Sequence, residues 1–191
     1  MDLLAILSVV LVIVVGVPTT LLIVGRVVGF FASFSATEVR TEKPPSGQKG
    51  KALIVYEPGA TRQTVRVGEE IGDLLLERGY EVTLSGIRAA AAKSTSGYDL
   101  VLVGTPTYVG RPTGAVKKYV KDLRLTAGQT FGIYLVGTKG APTAGFVPKA
   151  FLDAMKKPLE ASNTVVKEME FSGVKPFDHS NFVETLLAPP S

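Results

Sequence analysis

The chain has no cysteine, no tryptophan and a single histidine in 191 residues. Without cysteine there is no disulfide framework, no thiolate zinc or iron–sulfur site and no cysteine nucleophile. One imidazole, at His179, leaves little room for a histidine metal centre or a catalytic triad, and no partner motif surrounds it. No metal site and no catalytic residue is expected, so redox chemistry requires a bound organic cofactor. Dense basic runs are also missing. The net charge of +4 suits an acidic partner or an anionic membrane face, and no nucleic-acid partner is expected.

Charge is lacking from one whole stretch. Between Asp2 and Arg26 lie 23 uncharged residues, Leu3 to Gly25. As a helix at about 1.5 Å per residue this run measures about 35 Å, more than the roughly 30 Å hydrocarbon core of a bilayer. A cleaved signal peptide would open with basic residues and carry a shorter apolar core, whereas this run follows Asp2 and is extended by Phe30, Phe31 and Phe34. Residues 1–34 are therefore expected to be a retained single-pass transmembrane anchor. The cations beyond it are Arg26, Arg40, Lys43, Lys49 and Lys51, which places the following domain on the cytoplasmic side of the cell membrane. Residues 35–50, with Pro44-Pro45-Ser46-Gly47, read as a flexible linker, and residues 51–191 as one domain with one core.

What the domain contains is an alternation of short apolar runs and helical stretches. Ala52–Tyr56, Leu100–Val103 and Phe131–Val136 are continuous apolar runs, as in strands covered on both faces. Residues 80–84 and 165–171 alternate, as strands nearer an edge do. Helices are expected over Thr64–Arg78, Pro112–Leu123 and Val147–Leu159, with a short second crossover over Ile87–Gly97 and a closing helix within Phe177–Leu187. Strand–helix alternation implies a parallel sheet with right-handed crossovers. The fold class is α/β, a doubly wound five-stranded parallel sheet in the order 2-1-3-4-5, in which the first, third and fourth strands are interior.

Ligands of such sheets bind beyond the carboxyl ends of the strands where the order reverses, which selects three loops. In the first, Gly59, Ala60, Thr61, Arg62, Gln63 and Thr64 lead into a helix, whose unpaired amides and dipole suit an anion. Neither the nucleotide-triphosphate ending Gly-Lys-Ser/Thr nor Gly-x-Gly-x-x-Gly is present, so a monophosphate is the expected ligand group, against an ordinary turn capped by Thr61 or Thr64. The second, Gly104 to Pro112, carries Thr105, Pro106, Thr107, Tyr108 and Gly110; its small residues admit a flat ligand and Tyr108 can stack on one. The third, from Gly137 through Thr138, Lys139 and Gly140, offers backbone amides.

These stretches resemble flavodoxin. The resemblance rests on Ile54-Val55-Tyr56 with Thr61 and Thr64, and above all on Tyr98-Asp99-Leu100-Val101-Leu102-Val103-Gly104-Thr105-Pro106-Thr107-Tyr108-Val109-Gly110; the Gly-Thr-Pro-Thr run is also similar to flavodoxin-like quinone reductases. The resemblance implies flavin mononucleotide (FMN), with its phosphate on Gly59–Thr64, Tyr108 stacked on the isoalloxazine, and Thr105, Pro106, Thr107 and Gly137–Gly140 along the ring edge. Three features depart from the family pattern. Gly59 replaces a hydroxyl residue, Glu57 brings a carboxylate near the phosphate loop, and the domain is basic. The leading expectation is a membrane-tethered FMN-binding electron carrier serving a redox partner protein. The alternatives are an NAD(P)H-dependent quinone or flavin reductase and a flavodoxin-like module that has lost its flavin.

Overall fold

The computed structural model describes residues 12–16, 35–108, 111–126, 128–137, 165–171 and 179–188. Seven strands are numbered in chain order: β1 (Val39–Glu42), β2 (Gly50–Tyr56), β3 (Tyr80–Gly86), β4 (Leu100–Tyr108), β5 (Arg111–Pro112), β6 (Thr130–Gly137) and β7 (Val165–Phe171). Among the described residues three α-helices accompany them: α1 (Gln63–Glu77), α2 (Gly114–Asp122) and α3 (His179–Leu187). The sheet runs β1-β3-β2-β4-β6-β7, with β5 pairing β4 off this path. β2, β3, β4, β6 and β7 are mutually parallel where they pair.

The sheet differs from the all-parallel, five-stranded expectation in two places. β3 was expected at an edge, but β1 pairs with it antiparallel, from Val39 opposite Ser85 to Glu42 opposite Val82. The edge at this side is β1, and the sheet is mixed. β1 falls inside the stretch expected to be a flexible linker; its sequence, Val-Arg-Thr-Glu, is short and exposed except for the half-buried Glu42, and so carries no periodic signal. The second difference is β5, a two-residue strand that folds back on Thr107 and Tyr108.

Alternation along the strands divides the interior into two cores. On one face Ala52, Ile54, Val82, Leu84, Leu100, Leu102 and Tyr134 pack under Ile71 and Leu75 of α1 and Phe182, Val183 and Leu186 of α3. On the other, Leu53, Val55, Val101, Val103, Phe131 and Ile133 pack under Val116 and Val120 of α2 and Ala92. Fully burying one such aliphatic or aromatic side chain is worth about 1.5–3 kcal/mol. α1 forms because its apolar positions fall on one stripe, while Glu69, Glu70, Asp73 and Glu77 stand exposed on the other side. His179 Nδ1 lies 3.2 Å from Glu70 Oε2, joining α3 to α1.

The second crossover is short, as expected, and holds only a 3₁₀ turn, Ala91–Lys93. Pro112 belongs to β5 and not to the following helix; Thr113 caps α2, its hydroxyl accepting from the Val116 amide at 3.4 Å. The expected helix over Val147–Leu159 lies outside the described residues. So does the expected transmembrane anchor over 1–34, apart from the short π-helical turn Val12–Gly16; among the described residues no helix is long and apolar enough to cross a membrane.

Candidate functional site

β2 passes the chain to β3 on one side and β4 passes it to β6 on the other. Their carboxyl ends therefore frame the crevice in which ligands of open α/β sheets bind. The loop after β2 begins pinned to β4, with the Glu57 amide donating to the Gly104 carbonyl at 3.1 Å. Gly59 then turns at φ 64°, and a Cβ there would meet Pro106 Cβ at 3.0 Å. Glycine is required on both counts, by the left-handed backbone and by the close approach. The position where flavodoxins usually carry a hydroxyl residue is thus filled by the seat of Pro106.

Tyr108 completes the junction. It is 47% exposed, while its hydroxyl accepts from the Ala60 amide at 3.3 Å. The ring is presented to solvent beside the loop that was expected to take a phosphate. Ala60, Thr61 and Arg62 are exposed, Gln63 is half-buried and Thr64 is 1% exposed. Arg62 precedes α1 at φ 55° and ψ 12° with no side-chain cap. A left-handed conformation for a non-glycine residue costs roughly 1–2 kcal/mol, and observed strain of this kind concentrates at ligand loops. Among the described residues the Gln63 and Thr64 amides, at the first turn of α1, have no backbone acceptor outside the helix, as helix starts generally do.

Gly104, Thr105, Pro106 and Thr107 were expected in a loop and lie instead within β4, which continues to Tyr108. Thr105 and Thr107 are buried, their hydroxyls donating to the Pro106 carbonyl at 2.9 Å and the Val136 carbonyl at 3.3 Å. Their hydroxyls are committed inside the protein, and Thr107 stands opposite Gly137, the last residue of β6. The structure therefore brings Gly59–Thr64, Pro106 and Tyr108 together at one end of the sheet, with buried Gly137 at the same level. Gly110, Thr138, Lys139 and Gly140 lie outside the described residues.

The Glu57 carboxylate does not occupy the loop's anion position. It accepts from the Thr113 hydroxyl at the start of α2. Burial raises its pKa above the ordinary 4.5, against the lowering influences of the Thr113 bond and of Arg88. Two further residues were not recognised from the sequence. Tyr134 of β6 passes over Gly104, where a Cβ would come 2.1 Å from its ring, and its hydroxyl donates to the Thr64 carbonyl at 3.1 Å. It braces the start of α1 from the far side of β4; burial raises its pKa strongly. Glu38, in the stretch before β1, pairs with Arg62 at 3.2 Å. A continuous apolar run at 131–136 marked Tyr134 as buried, but neither contact leaves a local sequence signal.

No protein-family model matches the chain, and no curated protein matches it. Solved structures do. A short-chain flavodoxin associated with a non-canonical PDU bacterial microcompartment superposes with a TM-score of 0.57 at 20% identity, covering 72% of this chain and 96% of its own. The flavodoxin of Streptococcus pneumoniae TIGR4 gives 0.55 at 18% identity, over 71% and 96% of the two chains. The apo form of an NADH:FMN oxidoreductase, EmoB, gives 0.56 at 16% identity, over 72% and 88%. The strand-end crevice, the helix-capped loop and the aromatic residue beside it all sit on one architecture, and the fold of this chain is flavodoxin-like.

Proposed function

We propose that the chain binds FMN at the carboxyl ends of β2 and β4 and works as a membrane-tethered electron carrier on the cytoplasmic side of the cell membrane. The observation that carries this is the junction of Tyr108 with the loop before α1: an exposed aromatic ring hydrogen-bonded to the amide of an anion-type loop, at the crevice of a flavodoxin-like sheet. The residues present fit the cofactor. The exposed Thr61 hydroxyl, the amides at the start of α1 and the Arg62 guanidinium can hold a phosphate, the Tyr108 ring can cover the isoalloxazine, and the Glu57 carboxylate is turned away to Thr113. Bound FMN supplies the one- and two-electron chemistry. The chain's own part is to hold the phosphate, to shield one face of the ring and, through Gly59 seated on Pro106, to keep the loop close to β4.

Tethering to a membrane rests on the 23-residue uncharged run and the cations that follow it. It would raise the local concentration of the domain at a membrane-bound redox partner. The test uses the full chain in detergent or nanodiscs, titrated with FMN while flavin fluorescence is followed. Quenching with saturation at micromolar FMN is expected. Absence of binding overturns the reading in favour of a module that has lost its flavin, and consumption of NADH or NADPH with a quinone by the loaded protein favours the reductase.

A further inference from the structure

Residues 35–42, the described part of the stretch between the apolar run and the domain, are docked at the candidate site's end of the sheet. Because β1 is antiparallel to β3, the chain enters at the carboxyl end of the parallel strands and runs down toward their amino ends. Ala36 is 1% exposed. The Arg88 amide donates to its carbonyl at 2.9 Å, and the Gly86 amide donates to the Glu38 carbonyl at 2.8 Å. The fit is close enough that a Cβ on Gly86 would stand 2.2 Å from the Ala36 backbone. Glu38 then reaches Arg62 of the candidate phosphate loop at 3.2 Å, so the entering segment and the site share a contact.

Only nine residues, Arg26 to Phe34, separate the uncharged run from Ser35. Fully extended they span at most about 30 Å. The amino ends of the parallel strands lie a further ~20 Å away, since β3 has seven residues at about 3.3 Å each.

We infer that residues 35–42 act as an orienting clasp that presents the strand-end face carrying Tyr108 and the Gly59–Thr64 loop to the bilayer surface. This rests on the proposed anchor. A ligand held at that face meets partners carried in or on the membrane, and the opposite end of the sheet faces the bulk solution.

The absence of cysteine makes the orientation directly measurable, because one introduced thiol labels uniquely. Arg88→Cys places a fluorophore beside Ala36 at the site's end, and Ser96→Cys places one at the other end, next to Thr95, which bonds the Arg124 carbonyl after α2. The full chain is reconstituted in phosphatidylcholine–phosphatidylglycerol vesicles containing nitroxide-headgroup lipid. Quenching severalfold stronger at Arg88→Cys than at Ser96→Cys is expected; equal or reversed quenching overturns the inference. Adding Gly86→Ala, which displaces Ala36, is expected to abolish the difference. Should that variant fail to fold, a glycine–serine insertion between Phe34 and Ser35 serves instead; it leaves the clasp docked and is expected to weaken quenching at Arg88→Cys, and unchanged quenching overturns the inference. Failure of the unlabelled chain to sediment with vesicles overturns the anchor itself, and FMN titration of the same sample reads the flavin proposal separately.

Discussion

In the proposed site Tyr108 has two roles to separate, because its ring is exposed while its hydroxyl holds the Ala60 amide. Removing the ring at Tyr108→Ala loses both, and aromatic stacking of this kind is worth about 0.5–1.5 kcal/mol, so FMN affinity should fall by up to about tenfold and bound-flavin fluorescence should recover. Tyr108→Phe keeps the ring, and its quenching should match the parent while only the loop bond is lost. Equal quenching by the alanine variant would show that the ring does not lie on the flavin. Glu57 carries the second residue-scale prediction. Its folded-state pKa lies above the ordinary 4.5, chiefly through burial, so folding favours the protonated carboxyl. That stabilisation is complete below the ordinary value and is lost as pH rises through the raised one. Glu57→Gln removes the buried charge and still accepts from Thr113; it should be more stable than the parent at pH 7, and the difference should shrink as pH falls toward the ordinary carboxylate range. Urea unfolding at pH 7 and in that range checks this, and a glutamine variant less stable at pH 7 would refute it.

At the scale of elements, what could be read from the sequence is what burial imprints on periodicity. The continuous runs at 52–56, 100–103 and 131–136 became β2, β4 and β6 because both faces of an interior strand are apolar, and α1 and α2 followed from single apolar stripes. β1 and β5 escaped detection because pairing, not burial, creates them: one is four exposed or half-buried residues and the other only two. β1 nevertheless caps the β3 edge, with Thr41 and Thr83 hydroxyls bonded at 3.1 Å, and an uncovered edge strand invites pairing between molecules. A soluble fragment beginning at Lys43 should therefore melt several degrees below one beginning at Ser35 and aggregate sooner. The loss is expected at about 1–2 kcal/mol, since each ladder bond contributes about 1 kcal/mol net and most of that is offset by the ordering of the segment. Indistinguishable melting curves would mean that β1 contributes no stability to the domain.

At the scale of the molecule, the candidate site was legible as a place in the fold before it was legible as a set of contacts. Strand–helix alternation alone pointed to the ends of β2 and β4, and of the residues the loop compositions named, Gly59–Thr64, Pro106 and Tyr108 lie together there, whereas Thr105 and Thr107 are buried within β4 and Gly110, Thr138, Lys139 and Gly140 lie outside the described residues. The contacts themselves were not legible, because Gly59 against Pro106, Tyr134 across Gly104 and Glu38 on Arg62 join residues far apart in sequence. The proposed binding of FMN implies a link between ligand and global stability. A ligand that binds only the folded chain adds about 2.7 kcal/mol at a hundredfold excess over its Kd, which for a domain of this size corresponds to about 5–10 °C in Tm. FMN should raise Tm by that amount. Riboflavin, which offers the same ring to Tyr108 but no phosphate to the loop before α1, should raise it markedly less at equal concentration, and adding inorganic phosphate with riboflavin should recover part of the difference. Equal shifts for FMN and riboflavin would place the binding energy on the ring alone and remove the Gly59–Thr64 loop from the site.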